Sequence, residues 1–242
     1  MTTETLQQRS LTRLEEGYWL ESRQPWASLI FIAPLLVAYE VGVLALRVQN
    51  GADAWMRKVL DIMGFGQHFL LPMMTVGILL GWHHLTRRSW RLSARVLSTM
   101  VAECLLLAIA LRLILQLQGA LLQSIAGPIP LSIAATCQEA VGFLGAGIYE
   151  ELLFRLILLS LVIWGFTRLG AALSASMCAA VLLSSVLFAA AHYVGAYGEP
   201  FHWFTFLFRF LAGVFFSILF VWRGFGIAAG THAAYDILVG LL

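Results

Sequence analysis

The sequence predicts an all-α fold, a polytopic transmembrane helical bundle of seven to eight membrane helices with an intramembrane polar cavity. Three observations carry this expectation. Hydrophobic residues make up 60% of the 242-residue chain and charged residues 12%, whereas a soluble domain carries about 25% charged residues. The apolar residues fall into runs of about 20, the length that crosses the hydrocarbon core of a bilayer. Several runs also hold Glu, His, Asp and Arg side chains that lipid excludes, at about 2.5–3.5 kcal/mol for a charge near the bilayer centre. Little of the chain is left over for a domain outside the membrane. The net charge of +2, with no basic face, excludes nucleic-acid binding.

Residues 1–25 are polar and read as an amphipathic or frayed lead-in carrying Arg9, Arg13, Glu15, Glu16 and Arg23. Residues 26–242 then form a single transmembrane domain. Charged, Gly and Pro punctuation divides it into spans at 26–46, 66–82, 94–117, 132–166, 171–191, 201–222 and 225–242. The first run exceeds a signal-peptide core, so it is expected to stay as the first transmembrane helix. The run 132–166 is too long for one simple span. It is either one long tilted helix or two helices broken near Gly145–Gly147, which leaves the total at seven or eight.

Orientation follows from Lys and Arg at the span ends. With 132–166 crossing once, Arg9, Arg13, Arg23, Arg87, Arg88, Arg91, Arg95, Arg168 and Arg223 share one side, against Arg47, Arg57 and Lys58 on the other. The N-terminus is therefore expected in the cytoplasm. Cys104, Cys137 and Cys178 lie in apolar runs and read as small core residues, with no disulfide or CxxC pattern.

The segment GIYEELLFRLIL at 147–158 concentrates the anomaly. Glu151 and Arg155 are four residues apart, so a helix sets them on one face in the favourable acid-first order. Arg155 can neutralise Glu151, leaving Glu150, about 100° around the axis, to face another cavity wall. His192 closes the run SSVLFAAAH, one turn after Phe188. His232 and Asp236 share a face of the last helix. A single buried ion pair or histidine is ordinarily structural, but this set on separate helices reads as functional. A carboxylate in a low-dielectric pocket is a stronger proton acceptor than one in water, and can activate a water molecule. Imidazoles can hold that water or an oxyanion. The same Glu150, His192, His232 and Asp236 can alternatively bind a divalent metal such as zinc, which would activate the water itself. No GxSxG-like element accompanies Ser184 and Ser185, which disfavours a serine nucleophile. Glu40 and the pair Glu103–Arg112 read as structural ion pairs, and His68, His83, His84 and His202 as interfacial. Arg209, in the span before the His232 helix, stays open between a structural and a functional reading.

In order, EELLFR at 150–155, FAAAH at 188–192 and HAAYD at 232–236 match EExxxR, FxxxH and HxxxN/D. The trio resembles the CAAX-protease and bacteriocin-processing family of intramembrane endopeptidases, including the type II CAAX prenyl endopeptidase, over about residues 130–242, the expected catalytic core. The resemblance implies a helical-bundle protease in which Glu150 activates water, His192 assists, and His232 and Asp236 stabilise the oxyanion. Glu151, Arg155 and Phe188 would support the architecture. Where the eukaryotic prenyl protease usually has Asn, this chain has Asp236, which donates a hydrogen bond only when protonated. A metal-free glutamate mechanism is the favoured reading, with no cofactor, and a metal-dependent one the alternative. A compact chain without a targeting segment points to a bacterial inner membrane. The expected partners are the lipid bilayer and a membrane-embedded or membrane-anchored protein or peptide substrate, such as a CAAX-like, signal, bacteriocin-type or C-terminal sorting sequence. Two other classes compete, a proton-coupled carrier and a non-catalytic immunity or scaffold protein. The lack of internal symmetry and the complete motif set argue for the enzyme.

Overall fold

The computed structural model describes residues 17–66, 69–126, 137–195 and 198–241, all helix and connecting turns. Arg9, Arg13, Glu15, Glu16 and His68 lie outside the described residues. In chain order the helices are α1 (Pro25–Leu46), α2 (Gly51–Ile62), α3 (Leu70–Thr86), α4 (Ala94–Ala126), α5 (Cys137–Gly145), α6 (Ser160–Arg168), α7 (Leu173–Ala191), α8 (Trp203–Arg223) and α9 (Phe225–Leu241). By length and composition α1, the Ala94–Ala120 part of α4, α7 and α8 can each cross a membrane; α3 is apolar but shorter.

The run that the sequence left open, 132–166, is continuous from residue 137 onward. Between α5 and α6 the backbone stays helical but widens into π turns at Ala146–Glu150 and Leu152–Leu159. Helical dihedrals at Gly145 and Glu151 carry the axis through without a break. Such widened turns recur at functional sites, because they re-aim side chains without ending the helix.

Local chemistry explains the other joints. Pro25 starts α1 at a position where its missing N–H costs nothing. The sequence reading passed over α2, whose charged residues hide an amphipathic helix: Asn50 caps it, Asp53 sits in its first turn, and Trp55, Val59 and Ile62 are exposed. Gly224, with φ of 82°, turns α8 directly into α9.

The two ends of the bundle are distinct. Residues before α1 meet the end of α8 and the start of α4: Arg223 donates to Ser22 Oγ at 2.9 Å and pairs with Glu103 at 2.6 Å, and Tyr18 donates to Glu103. The α1–α2 joint instead lies beside the π turns.

Three expectations are corrected. Glu103 pairs with Arg223, while Arg112 donates to Leu238 O at 2.8 Å. Nine residues are two and a half α-helical turns, so Glu103 and Arg112 face opposite ways. His83 is buried rather than interfacial, its ring 4.3 Å from that of Trp90 and 6.3 Å from that of Trp26. Cys137 and Cys178 are exposed, and only Cys104 is in the core. In a lipid-facing bundle an apolar run does not distinguish core from surface, because lipid tails are as apolar as the core. Glu40 does form a structural pair, with Arg57 of α2 at 3.1 Å.

Candidate active site

Glu150 and Glu151 end and follow the first π turn, His232 and Asp236 lie one turn apart on α9, and His192 caps the C-terminus of α7. Close helix approach brings them together. Gly147 lies against α9, where a Cβ would stand 2.6 Å from Ala233 Cβ and 2.7 Å from Ala229 O. Small residues at membrane helix contacts permit this.

Glu151 and Arg155 are both fully buried, with Glu151 Oε1 3.0 Å from Arg155 Nη1. Arg155 Nη2 donates to Gly213 O at 3.2 Å, and the guanidinium lies 4.3 Å above the Phe188 ring. Desolvated cation–π contacts are worth about 2 kcal/mol. The expected i,i+4 pair is therefore present, and Phe188 supports it. Phe188 also packs edge-on against His192 at 5.0 Å.

His232 is hydrogen-bonded at Nδ1 and faces two carboxylates at Nε2. Nδ1 is 2.7 Å from Glu151 Oε1, and Nε2 faces Asp236 Oδ2 at 3.5 Å and Glu150 Oε2 at 3.9 Å. Phe216 stacks on the imidazole, centroids 4.4 Å apart and planes 15° from parallel. Glu151 thus both neutralises Arg155 and orients His232. The sequence reading sent Glu150 to another wall of the cavity. Instead the two adjacent acids approach opposite nitrogens of one ring, because an imidazole spans the angle between neighbouring positions on a widened turn.

His192 Nδ1 lies 2.8 Å from Phe188 O, which leaves Nε2 unused by that contact. His192 lies within electrostatic reach of Glu150, His232 and Arg209. Arg209 itself is held by Glu199 at 2.8 Å and lies 5.2 Å from the Tyr193 ring centroid, a structural anchor for the segment after His192.

Two residues of the site escaped the sequence reading. Phe216 is one apolar residue among many in α8, with no signal of its stack. Asn50 Nδ2 donates to Glu150 Oε1 at 3.1 Å. The Asn-Gly step marks a helix cap, but nothing in the sequence places that cap beside Glu150. Asn50 is joined to Tyr39, Asp53 and Arg57; burial pushes the Asp53 carboxyl up, while Tyr39 and Arg57 hold it down.

Among the described residues no group of three or more His, Cys, Asp or Glu side chains is arranged to hold a metal. What the arrangement offers is a carboxylate, Glu150, opposite an imidazole nitrogen, in a setting walled by Phe188 and Phe216.

Residues 133–238 match the family model described as Type II CAAX prenyl endopeptidase Rce1-like. No curated protein and no solved structure matches the chain.

Proposed function

With residues 133–238 carrying a domain of the type II CAAX prenyl endopeptidase Rce1-like family, we propose that this chain is an intramembrane endopeptidase of the glutamate type. Glu150 is its base. The observation that carries the reading is the opposition of Glu150 Oε2 and His232 Nε2 at 3.9 Å, with His232 fixed from behind by Glu151 and Arg155. That separation is beyond a direct hydrogen bond and within reach of one shared water.

Glu150 takes a proton from the water as its oxygen attacks the carbonyl carbon of the scissile bond. His192, tied back through Nδ1, holds the water with Nε2. His232, charged and with Nδ1–H on Glu151, donates from Nε2–H to the carbonyl oxygen as it becomes anionic, with Asp236 3.5 Å from the same nitrogen. When the C–N bond breaks, the proton on Glu150 passes to the leaving amine, so one water is consumed and an acid and an amine are formed. Glu151, Arg155, Phe188 and Phe216 hold the geometry.

For topology we keep the cytoplasmic N-terminus and seven crossings, with α2 lying at the outer interface. The continuity of residues 137–168 and the separation of Ser22–Arg223 from Asn50–Glu150 support an odd count and a site toward the outer face. Such a site suits trimming of exported or membrane-anchored segments, in the signal, bacteriocin or C-terminal sorting class.

The test is a comparison of protein termini in membranes of cells carrying the wild-type chain or Glu150→Gln. A defined set of termini is expected to vanish in the variant at equal folded level. Identical termini in both would remove the protease reading.

A further inference from the structure

We infer that Asn50 is a positioning residue for Glu150, so that a segment outside the family-matched residues 133–238 completes the site. The inference rests on the reading of Glu150 as the base.

One carboxamide does two jobs. Asn50 Oδ1 accepts from Ala52 N–H at 2.8 Å, capping α2, while Nδ2 donates to Glu150 Oε1 at 3.1 Å. A flipped amide would set its NH2 against the Ala52 N–H and its oxygen against the carboxylate, so the cap fixes the amide's direction. The positive end of the α2 dipole lies at the same place and points toward Glu150. With Oε1 held by Asn50, Oε2 is left toward His232.

The backbone of Asn50 is fixed as well. Its N–H donates to Tyr39 Oη at 3.0 Å, and Tyr39 donates to Asp53 at 2.7 Å. Arg57 joins Asp53 at 2.5 Å to Glu40 at 3.1 Å, and Tyr149 donates to Glu40 at 2.5 Å. Tyr149 precedes Glu150 in the chain. The contacts therefore form a closed ring that reaches Glu150 from Asn50 on one side and through its own backbone on the other. Gly145 makes room for it: a Cβ there would stand 2.9 Å from Asn50 Cβ and 2.8 Å from Tyr39 Cζ.

A cap role and a positioning role separate on substitution, because Ser and Asp cap about as well as Asn. Ser keeps the cap but is too short to reach Glu150, and Asp keeps the cap but sets a second carboxylate against it. The experiment compares wild-type, Asn50→Ser, Asn50→Asp and Glu150→Gln proteins, purified in nanodiscs, on a quenched fluorogenic peptide spanning one Glu150-dependent terminus. We expect kcat to fall about ten- to a hundred-fold in Asn50→Ser, as befits a lost hydrogen bond to a charged group. It should fall further in Asn50→Asp, with KM unchanged and the loss of kcat out of proportion to any fall in Tm in both. Equal kcat in wild type, Asn50→Ser and Asn50→Asp beside an inactive Glu150→Gln would overturn this inference alone. So would a loss in Asn50→Ser that tracks its Tm while Asn50→Asp keeps both. Wild-type turnover by Glu150→Gln would overturn the inference together with the reading of Glu150 as base.

Discussion

Glu151 Oε1 lies 2.7 Å from His232 Nδ1, and the same oxygen lies 3.0 Å from Arg155 Nη1. One buried carboxylate oxygen thus serves a cation behind it and an imidazole in front. All three side chains are essentially out of contact with solvent or lipid, so none can be removed without stranding another.

Removing Glu151 or Arg155 should therefore destabilise the fold. Breaking a buried pair from one side costs about 3–5 kcal/mol, and Glu151→Ala or Arg155→Ala is expected to lower both folded yield and Tm in detergent. Arg155→Lys should recover only part of the loss. A lysine lacks the planar guanidinium that lies over Phe188 and also donates to Gly213 O. Undiminished Tm in both alanine variants would separate Glu151 from the architecture.

The stacked pair of Phe216 and His232 makes a different prediction. Aromatic pairs are worth about 0.5–1.5 kcal/mol beyond their buried area, a small share of the fold but a direct restraint on the ring that faces Glu150. Phe216→Leu is expected to cost a few degrees in Tm and several-fold in turnover. Phe216→Tyr, which keeps the stack, should retain turnover. Measuring both on a Glu150-dependent terminus checks this, and wild-type turnover in Phe216→Leu would show the stack to be packing alone.

How much of this could be read from the sequence depended on whether the signal was local. Glu151 and Arg155 pair as their i,i+4 spacing requires, and His232 and Asp236 share a face of α9 for the same reason. The polar residues of 150–236 stood out because lipid makes every buried charge conspicuous. Contacts between distant segments did not show. Arg223 takes Glu103 from Arg112, and Asn50 meets Glu150 across 100 residues. The amphipathic α2 was missed because its charges, Asp53, Arg57 and Lys58, looked like a loop between spans. Cys137 and Cys178 were misplaced because hydropathy does not tell a lipid-facing side from a protein-facing one. The widened turns at Ala146–Leu159 have no residue signature, and they moved Glu150 from a separate wall to the His232 ring.

Gly147 gives a prediction about precision. It lies one turn before Glu150, and α9 packs directly on it, so an added Cβ would stand 2.6 Å from Ala233 Cβ. Relieving that contact means moving α9, and His232 with it, by about 1 Å, a displacement that can cost about a hundred-fold in rate. Gly147→Ala is expected to fold with a lowered Tm and to lose turnover out of proportion to that loss. Turnover that falls only as far as the folded fraction falls would show that the helix contact does not set the site's geometry.

The last prediction concerns which face the site opens to. Arg168 ends the long helix that carries Glu150, and the next helix, α7, is capped at its C-terminus by His192. If the positive residues hold Arg168 inside, α7 runs outward and the segment after His192 lies outside. Val194 and Leu169 are suitable reporters, being 52% and 86% exposed at opposite ends of α7. Each is changed to cysteine in a background with Cys104, Cys137 and Cys178 replaced, and intact cells are treated with a membrane-impermeant thiol reagent. Val194→Cys is expected to label at once, and Leu169→Cys only after the membrane is permeabilised. The reverse pattern would turn the bundle over, place the Glu150–His232 pair toward the cytoplasm, and remove exported segments as the substrate class. Immediate labelling of both would instead show that α7 does not cross the membrane between them. The hydropathy and 19-residue length of α7 count against that result.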